Sequence, residues 1–249
     1  MQTHTQQIAD SRLNFLLVLE YTQQTFYQQC IASQSVQGSA FSKLAALPMP
    51  GIQAGIKLLA QDQTNHIALL NSFFSLTTPP IDPTTLHYLF TVGGNLPDIA
   101  TNYASMLLLI QILEDTGVRC YKGMLQNFTV NSTLRSTYLT TLLGIHAVEA
   151  RHAGWIRNVR KNLGLPLKPW ITSTTELTAA GLIDKSTQGS LINPVYISED
   201  NVTQAQINLV GINGHKEIDS TAAAEAFDEV LSEGQVRLIL KSIITSGLQ

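Results

Sequence analysis

Four segments of this chain, each about 25 to 30 residues long, repeat apolar residues at steps of three and four, the spacing that lines one face of an α-helix. In the first, Leu13, Leu16, Leu17, Tyr27 and Ile31 share a face; in the second, Ile52, Ile56, Leu59, Leu70 and Phe73 do. The third stripe runs Tyr103, Leu107, Ile110, Tyr121, Leu125, and the fourth Tyr138, Leu142, Ile145, Ile156, Val159, Leu163. Such stripes are stable only when buried against one another, so they predict an all-α four-helix bundle.

Helix-breaking residues place the ends. Pro48, Pro50 and Gly51 precede the second helix, Asn95, Pro97 and Asp98 are expected to open the third, and Gly164 and Pro166 stop the fourth. The first and second, and the third and fourth, helices are joined closely enough to be antiparallel neighbours. About 20 residues are expected between the second and third, and 20 extended residues reach about 65 Å, well beyond the ~37 Å of a 25-residue helix. This crossover can therefore return along the bundle and leave the second and third helices parallel. Two units are expected: a bundle over residues 1–163 and a Thr-, Ser-, Asn- and Gly-rich extension over 164–249, irregular and packed on the bundle. The extension ends in a helix, because Ser232 and Gln235 form a capping box ahead of Val236, Leu238, Ile239 and Ile243.

Composition narrows the function classes. Of 249 residues, 44 % are hydrophobic and only 13 % charged, about half the roughly 25 % usual in soluble domains. The net charge of -3, with no stripe of Lys or Arg, leaves no electrostatic footprint for nucleic acid or anionic lipid. The longest apolar run, Ala104–Leu113, contains Gln111 and falls short of the roughly 20 residues that span a bilayer. Met1–Asp10 is polar, so no signal peptide is read in this chain. Cys30 and Cys120 read as packed thiols. No Gly-rich phosphate loop follows a strand, and Gly93-Gly94 reads as turn chemistry. The Asn-x-Thr matches at Asn127, Asn131 and Asn201 are read as incidental to a Thr-rich chain.

The chemistry lies where the stripes are interrupted. Glu20 falls between Leu17 and Tyr27; Gln63 and His66 between Leu59 and Leu70; Glu114 between Ile110 and Tyr121; Glu149 and His152 between Ile145 and Ile156. All six are expected to point inward at one level. Burying three carboxylates together requires a neutralising charge, and no Lys or Arg shares these positions. Metal cations meet that need, since a carboxylate or amide and an imidazole three residues apart share a helical face and can hold one ion. Asp62 is a weaker alternative ligand beside His66. Tyr27, Tyr103, Tyr121 and Tyr138 are expected chiefly to pack, His146 to be peripheral, and Asp115 and Arg119 to form a surface ion pair.

With its order Glu20, Gln63-x-x-His66, Glu114, Glu149-x-x-His152, the chain resembles the ferritin-like di-iron and di-manganese carboxylate proteins. LNFLLVLEY, EDTGVRCYKG and AVEARHAGWIR are similar to segments of the ferritin-like domain family that includes desiccation-related proteins, over residues from about 8 to 163; the tail AFDEVLSEGQVRLIL resembles that family's C-terminal element. The resemblance implies a carboxylate-bridged centre for iron or manganese, with chemistry on dioxygen or peroxide of a ferroxidase or manganese-catalase type. It is compatible with a homo-oligomer and, had a leader been removed, with a periplasmic or extracellular location. One departure matters: the family usually has Glu where this chain has Gln63. Three carboxylates then face four charges on two divalent ions, so one ion or two are both expected outcomes. The competing expectation is a noncatalytic bundle with a degenerate site, acting in stress or desiccation protection or in partner binding. An iron-storing shell finds less support, since the extension shows no shell-forming contacts.

Overall fold

The computed structural model describes residues 4–74, 79–125, 132–172 and 195–248. Four long helices carry the fold: α1 (His4–Ala32), α3 (Ile52–Asn71), α4 (Tyr103–Leu125) and α5 (Ser132–Asn162), with the short α2 (Ala40–Lys43) between α1 and α3. Hydrogen bonds between helices fix their directions. The Gln24 amide donates to Thr64 Oγ1 at 2.9 Å and the Asn71 amide to Tyr21 at 3.4 Å, so α1 and α3 run antiparallel. Arg160 on Gln111 and Arg157 on Asp115 run α5 against α4, while Tyr27 on Glu114 and Tyr121 on Glu20 run α1 against α4. Helices α3 and α4 are therefore parallel, as a long crossover requires.

That crossover is longer than its sequence suggests. Asn95, Pro97 and Asp98 form turns rather than the opening of α4, which begins five residues after Asp98 at Tyr103. Asn102 is the effective cap, its side-chain oxygen accepting from Ala104 N at 2.9 Å, and the Asp98 carboxylate accepts from the Asn102 amide at 2.7 Å and Ser105 Oγ at 2.8 Å. The crossover carries a two-residue strand, β1 (His87–Tyr88), which pairs antiparallel with β4 (Ile244–Ser246) far along the chain. At the other end of the bundle, α5 stops at Asn162, and Gly164 takes φ 98°, a left-handed conformation that glycine adopts without a Cβ penalty.

Among the described residues, the extension contributes a small hairpin, β2 (Thr203–Gln204) with β3 (Ile207–Asn208), and two helices, α6 (Ser220–Ala224) and α7 (Glu233–Leu240). Helix α7 opens with the expected capping box of Ser232 and Gln235. Val195, Tyr196, Leu231, Val236, Ile239 and Leu240 join the same apolar core as the bundle residues. This cover explains one misreading of the sequence. Asp115 and Arg119 are not a surface pair: both are fully buried, and each bonds elsewhere. Asp115 takes a two-point contact from Arg157, at 3.1 and 2.6 Å, while Arg119 Nε lies 2.7 Å from Glu199 Oε1 and its guanidinium also caps the Val195, Ile197 and Glu229 carbonyls. Helix α4 is consequently buried nearly all round. Among the described residues, no helix is long and apolar enough to cross a membrane.

Candidate metal centre

Each long helix delivers part of one polar layer: Glu20 from α1, Gln63 and His66 from α3, Glu114 from α4, Glu149 and His152 from α5. The three carboxylates and Gln63 are fully buried, and both imidazoles are 6 % exposed. The i, i+3 spacing on α3 and α5 turns both members of each pair toward the bundle axis. Two sets of three side chains, Glu20–His66–Glu149 and Glu114–Glu149–His152, each bring one ligand-capable atom apiece within 4.8 Å of one another. Glu149 belongs to both sets. His66 Nδ1 lies 3.2 Å from Glu20 and 3.4 Å from Glu149; His152 Nδ1 lies 3.2 Å from Glu114 and 3.9 Å from Glu149.

A surrounding shell holds these groups in place. Tyr27 donates to Glu114 and Tyr121 to Glu20, so these two phenols bond the cluster rather than merely pack, while Tyr138 packs on Phe73. Gln23 donates to Glu149 Oε2 at 2.9 Å, and Gln63 donates to Glu149 Oε1 at 3.2 Å while its carbonyl lies 3.0 Å from His66 Nδ1. Asp62 does not join either set. It sits 3.0 Å from His152 Nε2, on the ring nitrogen turned away from Glu114, where it orients the imidazole. His146 is half-buried, stands apart from the cluster, and has an unpartnered Nδ1.

Electrostatics show what the cluster lacks. Burial raises the Glu20 carboxyl, an effect only partly offset by its bond to His66. Burial and the nearby Glu149 charge push Glu114 up to about 7, against the pull of His152. Burial disfavours the charged imidazoles, yet Glu149 and Glu20 reverse this for His66, raising it to about 10, and Glu114 and Glu149 raise His152 to about 9. Glu149 alone ends below its ordinary value: burial opposes ionisation, but His66 and His152 more than compensate. Without metal, protons on the imidazoles supply the positive charge, since among the described residues no Lys or Arg pairs with these carboxylates.

The residues fit a metal centre on two further observations. Gln23 Oε1 is a buried acceptor without a partner beside the cluster. Gly117, one turn beyond Glu114, leaves room that a side chain would fill: a Cβ there would lie 2.1 Å from Glu149 Oε2. Gln23 and Gly117 escaped the sequence reading although each stands three residues after a predicted ligand on the same helical face. The Asn-x-Thr matches at Asn127 and Asn131 lie outside the described residues; at Asn201 the amide is tied to Thr203 O and Glu229.

Comparison with known proteins agrees with this geometry. Neither a curated protein nor a solved structure gives a significant match. The family model described as the ferritin-like domain matches residues 10–162, which include every member of the buried cluster. The chain belongs to the ferritin-like domain family.

Proposed function

We propose that residues 1–163 form a bundle that holds one or two iron or manganese ions between Glu20, His66, Glu114, Glu149 and His152, with Gln63 as a neutral oxygen donor. Residues 164–249 serve as an extension packed on that bundle. The observation that carries this reading is the sharing of Glu149 between two three-ligand groups, the arrangement a bridging carboxylate needs. Such ions would supply redox chemistry on dioxygen or peroxide. The chain's own part is to fix the donors. Tyr27 and Tyr121 hold the outer oxygens of Glu114 and Glu20, and Asp62 keeps a proton on His152 Nε2 so that Nδ1 faces the centre.

Charge separates the two occupancies. Three carboxylates with one divalent ion leave one negative charge; with two ions they leave one positive charge, which a bound hydroxide would balance. Both groups contain two carboxylates, and the half with Glu114 and His152 is the better braced of the two, because Asp62 holds His152 from outside. A second reading, a bundle with a degenerate centre, draws on the Gln63 amide, which satisfies Glu149 at 3.2 Å without any ion.

Elemental analysis after anaerobic loading with Fe(II), and separately Mn(II), decides between them. One or two ions per chain, lost in Glu149→Ala together with metal-linked thermal stabilisation, is the expected result. No retained metal, or retention unchanged in Glu149→Ala, overturns the metal reading. Ferroxidase and catalase assays on the loaded protein then test the redox part.

A further inference from the structure

Away from the metal centre, outside the residues that the family model matches, a cavity of about 230 Å³ opens in the extension. Among the described residues, its polar walls are Thr172, Glu199, Asp200, Ser220, Thr221 and Glu225, three carboxylates and three hydroxyls. Two of these groups are buried and incompletely bonded. Thr172 is 7 % exposed and its Oγ1 has no partner; Glu199 is 3 % exposed and its Oε2 has none either. Buried side-chain oxygens in folded proteins are almost always hydrogen-bonded, so a pair of orphans lining one cavity points to an absent donor.

Two of the three carboxylates are already engaged in part or in full. Glu199 Oε1 faces Arg119 Nε at 2.7 Å and accepts from Glu229 N at 2.9 Å, which holds the carboxylate in place and leaves Oε2 for a ligand. Glu225 is held by Lys168 at one oxygen and by the Trp170 indole N–H, at 3.0 Å, at the other. Asp200 is exposed and makes the wall acidic.

The missing partner must therefore donate hydrogen bonds, and Asp200, the one wall carboxylate without a cationic partner among the described residues, favours a donor that carries positive charge. A directly coordinated divalent ion is the poorer fit, since among the described residues only the two groups at the bundle centre bring three candidate ligand atoms within 4.8 Å of one another. An ammonium needs no closed ligand sphere: it forms separate charge-assisted bonds of ordinary length to whichever acceptors face it. The volume lies below the roughly 300–1,000 Å³ of sites for drug-sized ligands, which limits the occupant to a few carbons.

We propose that this cavity binds a small primary amine, an alkyl diamine or amino alcohol, whose ammonium is held by Glu199 Oε2, Thr172 Oγ1 and Asp200. Burial, only partly offset by Arg119, raises the Glu199 carboxyl to about 7, so an ammonium would take the place of a proton there.

The test is calorimetric titration of the full chain with 1,4-diaminobutane at matched ionic strength, repeated on Asp200→Asn and Thr172→Val. Neither variant touches the bundle centre, and the exposed Asp200 side chain can change without disturbing the fold. Saturable binding that weakens at least tenfold in both variants is expected, together with a shift of the Trp170 indole NMR resonance, identified by its loss in Trp170→Phe. No saturable binding at millimolar amine, equal affinity in the variants, or binding of Ca(II) alone at this site would overturn the proposal.

Discussion

Replacing Gly117 by alanine sets two opposing effects against each other in one residue. In an unencumbered helix interior, Gly→Ala stabilises by about 1 kcal/mol, because glycine loses more backbone freedom on folding. At Gly117 the new methyl would stand 2.1 Å from Glu149 Oε2 and 3.1 Å from its carboxyl carbon. A carbon and an oxygen in tolerable contact sit about 3.3 Å or more apart, so the carboxylate must retreat by roughly 1 Å. It has little freedom to do so, being held by Gln23, Gln63 and His66. Overpacking of this kind costs about 1–3 kcal/mol, which cancels or outweighs the backbone gain and leaves a net loss of up to about 2 kcal/mol. The retreat also pulls the shared ligand from both metal groups, and each tenfold loss of affinity removes about 1.4 kcal/mol of metal-linked stabilisation at saturating metal. Urea denaturation with and without Mn(II) measures both quantities. Gly144→Ala is the control, since nothing lies within 4 Å of a Cβ there and a gain of about 1 kcal/mol is expected. If Gly117→Ala gains as much as the control and keeps its full metal-linked increment, the packing argument fails.

Three other outcomes follow from the same geometry. Gln63→Glu adds a fourth carboxylate and removes the amide bond to Glu149, so the metal-free protein loses about 1–3 kcal/mol while retained metal rises to two ions per chain; unchanged stoichiometry would count against charge as the limit. The raised imidazoles of His66 and His152 stabilise the metal-free fold fully below pH 6.5, and that contribution is lost as pH rises through about 9 and about 10; Glu114, at about 7, acts in the same direction. The urea midpoint of metal-free protein should therefore fall between pH 6 and pH 10, and a flat profile would contradict the proton-neutralised cluster. Gly123→Ala places a Cβ 2.2 Å from the Leu231 carbonyl, backbone that cannot swing aside, so it should cost about 1–3 kcal/mol and speed proteolysis of the extension without changing the number of bound ions.

The bundle was legible because its signal is local and repeated: buried stripes of period near 3.6, each interrupted near its middle by one or two polar residues, survive any tertiary context. The six cluster residues were legible for the same reason. What failed was reading α4 as one-sided. Asp115 and Arg119 look like surface residues until Glu199, Tyr196 and the Glu229 carbonyl arrive from the extension, and nothing near them in sequence announces those partners. The start of α4 was misplaced because Asn95, Pro97 and Asp98 carry helix-opening chemistry but are used in turns, leaving the cap to Asn102. Tyr27 and Tyr121 were underrated because periodicity reports which way a ring faces and not which atom its hydroxyl reaches.

The pairing of β1 with β4 has a bearing on the order in which the protein assembles. The hairpins α1–α3 and α4–α5 join segments close in sequence and can form quickly, whereas the bond from Thr245 Oγ1 to the His87 carbonyl, 3.2 Å long, spans a separation of 158 residues. Closing so long a loop carries an entropic cost that local helix packing does not. During synthesis on the ribosome, the crossover can already contact α1 through Asn14 and Phe26, but its strand stays unpaired until residues 244–246 have emerged. Pairing of the crossover strand is thus a late step, added to a bundle whose hairpins are already tied to each other by Tyr27 on Glu114 and Tyr121 on Glu20.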